Sequence, residues 1–120
     1  MPGKKSAQPF VVLVTCGSRT EARRIARRAV GRRLAACVNL LGNPVESVYR
    51  WQGKVESARE WLLILKTTRA RLSGLEREIR SLHSYEVPEF IALPIGSGSG
   101  GYLAWLADSV RRQAAAEDQT

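Results

Sequence analysis

From Phe10 to Cys16 the chain reads Phe-Val-Val-Leu-Val-Thr-Cys, an almost unbroken apolar run rich in β-branched residues. Such a run predicts a central strand covered on both faces, and Gly17 ends it. Ser18-Arg-Thr-Glu21 follows with the spacing of a capping box. The serine oxygen is placed to accept a free amide of the first helical turn, and Glu21 to reach back to the cap. Ala22, Ile25, Ala26, Ala29 and Val30 then recur at helical period, with arginines on the other face. Gly31 or the residues just after it mark the stop.

Ala35 to Leu41 predicts a second strand, broken at Gly42-Asn43-Pro44. Extended structure resumes at Val45 to Trp51, where Val45, Ser47, Tyr49 and Trp51 alternate with Glu46, Val48 and Arg50. Gln52-Gly53 is a turn signal. Lys54 to Thr68 returns as a long strand centred on Trp61-Leu-Leu-Ile-Leu65, so the two arms form a long hairpin. Arg69 to Leu82 is a second amphipathic helix with Leu72, Leu75, Ile79 and Leu82 on one face. Pro88 to Ile95 reads as a further buried strand, Gly96 to Gly101 as a loop, and Tyr102 to Arg112 as a last helix with Leu103, Leu106 and Val110 inward.

The expected class is therefore α+β: a ferredoxin-like βαββαβ order with a long β-hairpin and a C-terminal helix. One domain is expected over residues 10–112, with a loose polar tail at 1–9 and a frayed end at 113–120. At 120 residues and 44% hydrophobic content the chain can bury a real core. No apolar run approaches the ~20 residues of a spanning helix, and Lys4 and Lys5 are not followed by a signal-type segment. A cytoplasmic protein without membrane contact is expected.

The net charge of +8 changes the picture only locally. Arg19, Arg23, Arg24, Arg27, Arg28, Arg32 and Arg33 crowd the first helix, a face able to meet a polyanion. No strand carries the aromatic pattern of RNA-recognition modules, so nucleic acid is not expected as a partner. Gly96-Ser-Gly-Ser-Gly-Gly101 fits G-x-G-x-x-G between strand and helix, but no βαβ unit follows it, so it is read as a loop. There is one histidine and no G-x-S-x-G elbow, and no catalytic constellation is expected.

The candidate chemistry is sparse. Cys16 ends a strand beside a helix N-terminus, a position expected to favour thiolate and soft metals such as copper. Cys37 reads as core, and a disulfide between the two is not expected. Two cysteines and His83 cannot complete a four-ligand site without a carboxylate or a second subunit. Glu89 is a candidate carboxylate, for a cleft or a metal, or else for an ion pair with Arg50 or Lys66. Lys66 itself reads as a strand-end charge or an anion contact.

Seven blocks in order resemble one family. They are Val14-Thr-Cys-Gly-Ser18, Arg33-Leu-Ala-Ala-Cys-Val-Asn-Leu40, Ser47-Val-Tyr-Arg-Trp-Gln-Gly-Lys54, Leu65-Lys-Thr-Thr68, Leu82-His-Ser-Tyr-Glu-Val-Pro-Glu89, Ile91-Ala-Leu-Pro-Ile95 and Tyr102-Leu-Ala-Trp-Leu106. Together they resemble CutA proteins over almost the whole domain. The resemblance implies a ferredoxin-like fold, a tight homotrimer in which hairpin strands pair across subunits, and a link to divalent-cation tolerance, with no established catalysis. It implies Cu²⁺ or a similar divalent cation at Cys16 and His83, to which Glu89 could add a carboxylate. It departs from the family at Leu82, where some members have a second histidine, and at Ser84, usually proline. Exposed hairpin edges need covering, so Tyr49, Trp51 and Trp61 are expected as interface anchors, with Trp61 reading equally as core. The trimer also resembles PII signalling proteins, and the alternative functions are a small ligand in inter-subunit clefts or a polyanion on the basic first helix.

Overall fold

A computed structural model describes residues 5–112. Its elements in chain order are β1 (Pro9–Cys16), α1 (Arg19–Gly31), β2 (Cys37–Leu40), β3 (Val45–Trp51), β4 (Lys54–Thr68), α2 (Leu72–Leu82), β5 (Ile91–Pro94) and α3 (Gly100–Ser109), with a 3-10 turn (Arg69–Arg71) leading into α2. The sheet runs β2-β4-β1-β5, and β3 pairs with the outer half of β4. Strands β2 and β3 are thus two pieces of one arm, both antiparallel to the 15-residue β4. This is the ferredoxin-like arrangement expected from the element order.

Strand β1 has neighbours on both sides: Leu13 faces Ile64 of β4 and Ile91 of β5. Its even-numbered residues Val12, Val14 and Cys16 turn to the helices, where they meet Leu63 and Leu65 of β4, Ile25 of α1 and Leu75 and Ile79 of α2. Those side chains are all 1% exposed or less, and they are the core. The opposite face carries a row Ile91–Leu13–Ile64–Asn39 across four strands. Its outer members Ile91 and Leu93 remain 45% and 47% exposed.

The element ends show where local chemistry prevailed over pattern. Helix α1 ends at Gly31, as expected, but the glycine does not take the left-handed closing position. Arg33 takes the left-handed conformation at φ 57°, with Arg33 N–H donating to Val30 O and Leu34 N–H to Ala29 O, a Schellman closure. Leu34 and Ala35 both return to the Ala29 carbonyl, which delays β2 to Cys37 rather than the expected Ala35. Strand β5 is also shorter than expected, since Pro88 has no amide to pair and the ladder begins at Ile91. Helix α3 starts earlier, at Gly100, because Ser99 Oγ accepts the Tyr102 amide as its cap. Gln52 and Gly53 both have positive φ, 51° and 80°, the two-residue turn that suits the twist of a hairpin.

The expected tail is shorter than drawn. Pro9 opens β1, the Gln8 carbonyl accepts the Arg69 amide and the Ser6 carbonyl the Ala70 amide, so residues 6–9 are tied to the domain. The expected fraying at 113–120, like residues 1–4, lies outside the described residues.

Candidate metal centre

Strand β1 and helix α1 meet at Cys16-Gly17-Ser18, which puts the end of the strand beside the first turn of the helix. Ser18 Oγ accepts the Glu21 amide at 3.1 Å, as the capping pattern predicts. Glu21 does not reach back to the cap. Its carboxylate crosses to the end of α2, where Oε1 accepts the Ser84 amide at 3.1 Å and Oε2 lies 3.4 Å from His83 Nδ1. Cys16 Sγ completes the group: one ligand atom from each of Cys16, Glu21 and His83 falls within 4.8 Å of the others. Sulfur, nitrogen and carboxylate oxygen are the donor types that suit copper and zinc.

The His83 side chain is fully buried, and both ring nitrogens are engaged. A carbonyl can only accept, so the 2.8 Å contact to Thr15 O makes Nε2 the protonated nitrogen. Nδ1 then accepts the Tyr85 amide at 3.1 Å. Glu21 Oε2 therefore faces a lone pair, not a proton. It is a buried carboxylate oxygen without a hydrogen-bond partner, which is costly unless a cation or proton is supplied. The donor set thus fits a divalent ion: Glu21 Oε2 is unsatisfied, Nδ1 is aimed at it, and Cys16 is alongside.

Two expectations are corrected. Cys16 is not poised as thiolate. Burial, and then the charges of Glu21 and Glu60, push its thiol up to about 12, outweighing the helix N-terminus. Glu89 is not in the cluster. The carboxylate that joins Cys16 and His83 is Glu21, which the sequence pattern assigned to a local cap.

Glu89 instead lines a neighbouring cleft of ≈ 730 Å³ with Tyr49, Trp51, Glu60, Tyr85 and Glu86. It makes no ion pair with Arg50 or Lys66 among the described residues; Lys66 Nζ donates to Asn39 Oδ1. Burial and the Glu60 charge hold the Glu89 carboxyl above its ordinary range. Tyr85 links cleft and cluster. Its ring lies 4.7 Å from that of His83, and its hydroxyl donates to Glu60 Oε2 at 2.8 Å. Burial and that hydrogen bond raise the phenol, so it stays a donor. Gly17 lies beneath it, and a Cβ there would stand 3.1 Å from Tyr85 Oη, close enough that the ring would have to shift.

The CutA1 divalent ion tolerance protein model matches residues 10–109. The chain belongs to this family. It is 46% identical over 99 residues to the divalent-cation tolerance protein CutA of Thermus thermophilus, covering 82% of this chain and 95% of that one. It is 46% identical over 107 residues to the chloroplastic CutA of Arabidopsis thaliana, covering 89% of this chain but only 58% of that longer protein. The crystal structure of CutA1 from Oryza sativa superposes with a TM-score of 0.85 at 41% identity, over 92% of this chain and all of the other.

Within this CutA fold the aromatics expected at an interface separate. Tyr49 and Trp51 stand out on the hairpin, with Trp51 46% exposed. Trp61 is half-buried and packs against the core cluster, because its register partner is Cys16 on the helix-covered side of the sheet. The arginine-rich face is partly consumed. Arg28 and Arg32 both pair with Glu78 of α2, at 3.1 and 2.9 Å, and Arg33 donates to the Ser109 carbonyl. Cys37, expected in the core, is only partly buried. No helix is long and apolar enough to cross a membrane among the described residues.

Proposed function

We propose that this CutA-family chain binds a divalent metal ion, copper(II) in particular, through Cys16, Glu21 and His83, and acts in divalent-cation tolerance as a homotrimer. The observation that carries the reading is the orphaned Glu21 Oε2, buried 3.4 Å from an imidazole nitrogen and close to a thiol. A bound ion would supply the positive charge this pocket lacks. Cys16 ligates only after losing its proton, and His83 offers Nδ1 only by releasing the Tyr85 amide. Binding is therefore coupled to a local rearrangement of Ser84 and Tyr85, and it competes with protons. Relatives that share this fold carry divalent-cation tolerance in their names, which agrees with the donor chemistry.

Self-association is supported by the surface that helices leave uncovered. Ile91 and Leu93 on the sheet, and Val48 and Val55 on the hairpin, are large apolar side chains left exposed, surface that a second copy could cover. Calorimetric titration of Cu²⁺ into the protein tests the metal assignment. Wild type should bind with a stoichiometry of one ion per chain; Cys16→Ala and Glu21→Gln should each weaken binding tenfold or more, and Glu89→Gln should not. Equal affinity for wild type and Glu21→Gln would remove the site. Light scattering on the same samples reads the mass of the assembly.

A further inference from the structure

The cleft beside the metal centre has a character of its own. Glu60 is 8% exposed and lies on its lining. One carboxylate oxygen accepts the Tyr85 hydroxyl; the other has no hydrogen-bond partner, and the group has no ion pair, among the described residues. Glu89 lines the same space, and burial with the Glu60 charge raises its carboxyl. Two carboxylates on the lining of one cleft, with no cation beside them among the described residues, make the cleft electronegative. This is the more notable in a chain of net charge +8, because no lysine, arginine or histidine among the described residues lines the cleft.

The walls say which cation fits. Tyr49, Trp51 and Tyr85 offer aromatic rings, and Val48, Val87 and Pro88 apolar surface. A volume of ≈ 730 Å³ falls within the roughly 300–1,000 Å³ typical of small-molecule sites. A metal ion needs three or more converging donors and gains nothing from aromatic walls. Among the described residues, converging donors of that kind occur at Cys16, Glu21 and His83, not here. Amines and guanidinium groups gain from both features, by charge-assisted hydrogen bonds to carboxylates and by lying over aromatic faces.

We propose that the cleft binds a small organic cation, an amine or guanidinium, anchored by Glu60 and Glu89 and flanked by Tyr49 and Trp51. The Tyr85 hydroxyl fixes Glu60 by occupying one oxygen, which directs the other to the ligand. None of the three metal donors contributes an anchor, so the organic cation needs no metal in order to bind; Tyr85, which contacts both His83 and Glu60, joins the two pockets.

Agmatine, which carries both an amine and a guanidinium, is the probe, and its uncharged analogue butylurea is the control. Binding to the full chain is followed by calorimetry and by fluorescence of the tryptophans, with oligomeric mass measured on the same samples. The expected result is saturable agmatine binding, about tenfold weaker in Glu60→Gln and in Glu89→Gln, as loss of a charge-assisted contact implies. Chelator-treated wild type should bind as untreated protein does, and butylurea should not bind. Should Glu60→Gln fail to fold, the less buried Glu89→Gln carries the test. Absence of saturable binding, equal binding of butylurea, or unchanged affinity in Glu89→Gln would overturn the proposal. A change of oligomeric mass in either carboxylate variant, without agmatine binding to wild type, would also overturn it, by assigning the cleft to a basic side chain of a second copy.

Discussion

The Tyr85 hydroxyl donates to Glu60 Oε2 at 2.8 Å, above a glycine that leaves room for the ring. This contact holds a segment of irregular backbone, the stretch after α2, against the edge of the hairpin. It also supplies the one hydrogen bond that the Glu60 side chain accepts among the described residues. Tyr85→Phe removes that donor and leaves a carboxylate that is nine-tenths buried without compensation. The expected cost is about 1–3 kcal/mol of folding stability, read as a lower midpoint in urea unfolding. Gly17→Ala should act in the same direction by pushing the ring aside, and the two changes together should cost less than their sum, because both break one contact.

The pH behaviour of Glu89 follows from its surroundings. Burial and then the Glu60 charge raise its carboxyl above the usual 4.5. Between 4.5 and the raised value the folded state holds a proton that the unfolded chain has released. The contribution to stability is complete below 4.5 and is lost as pH rises through the folded-state value. NMR titration of the Glu89 side-chain carboxyl should show a midpoint above 4.5, and Glu60→Gln should bring that midpoint down only part of the way, since burial is the larger cause.

The hairpin depends on its turn. Gly53 at φ 80° takes the left-handed conformation at the second turn position, where a Cβ is strained. Nothing lies within 4 Å of a Cβ built there, so Gly53→Ala isolates the backbone cost. A destabilisation of about 1 kcal/mol is expected, measured by chemical denaturation. Gln52 has φ 51° and is not a glycine, so Gln52→Gly should shift stability the other way by a smaller amount.

Much of the fold is legible in local pattern. The alternation at Val45–Trp51, the turn at Gln52-Gly53 and the apolar stripe from Ala22 to Val30 each encode their element within a few residues. The Ser18 cap is a four-residue signal and it forms. What stayed hidden is what depends on distance along the chain. Glu21 looks like a capping-box acid because Ser18 is three residues away, yet its oxygens meet Ser84 and His83, more than sixty residues on. Glu60 occupies a polar position on a long strand, and nothing near it in sequence shows that Tyr85 will cover it. Cys16 beside a helix start suggests an acidic thiol, but its burial and its two carboxylate neighbours are tertiary facts, and they win. Glu89 lies six residues from His83 in one block, and the sequence leaves open whether its carboxylate serves a metal or a cleft; in the fold it lines the cleft.

The most direct test of the metal centre is optical. Co²⁺ added to the protein in place of copper reports its ligands, because a thiolate ligand gives a sulfur-to-metal charge-transfer band in the near ultraviolet. A centre built from Cys16, Glu21 and His83 predicts that band in wild type and in Glu89→Gln, its loss in Cys16→Ala, and weaker Co²⁺ affinity in Glu21→Gln and His83→Ala. A band that survives Cys16→Ala, or that disappears in Glu89→Gln while Glu21→Gln binds normally, would contradict the assignment.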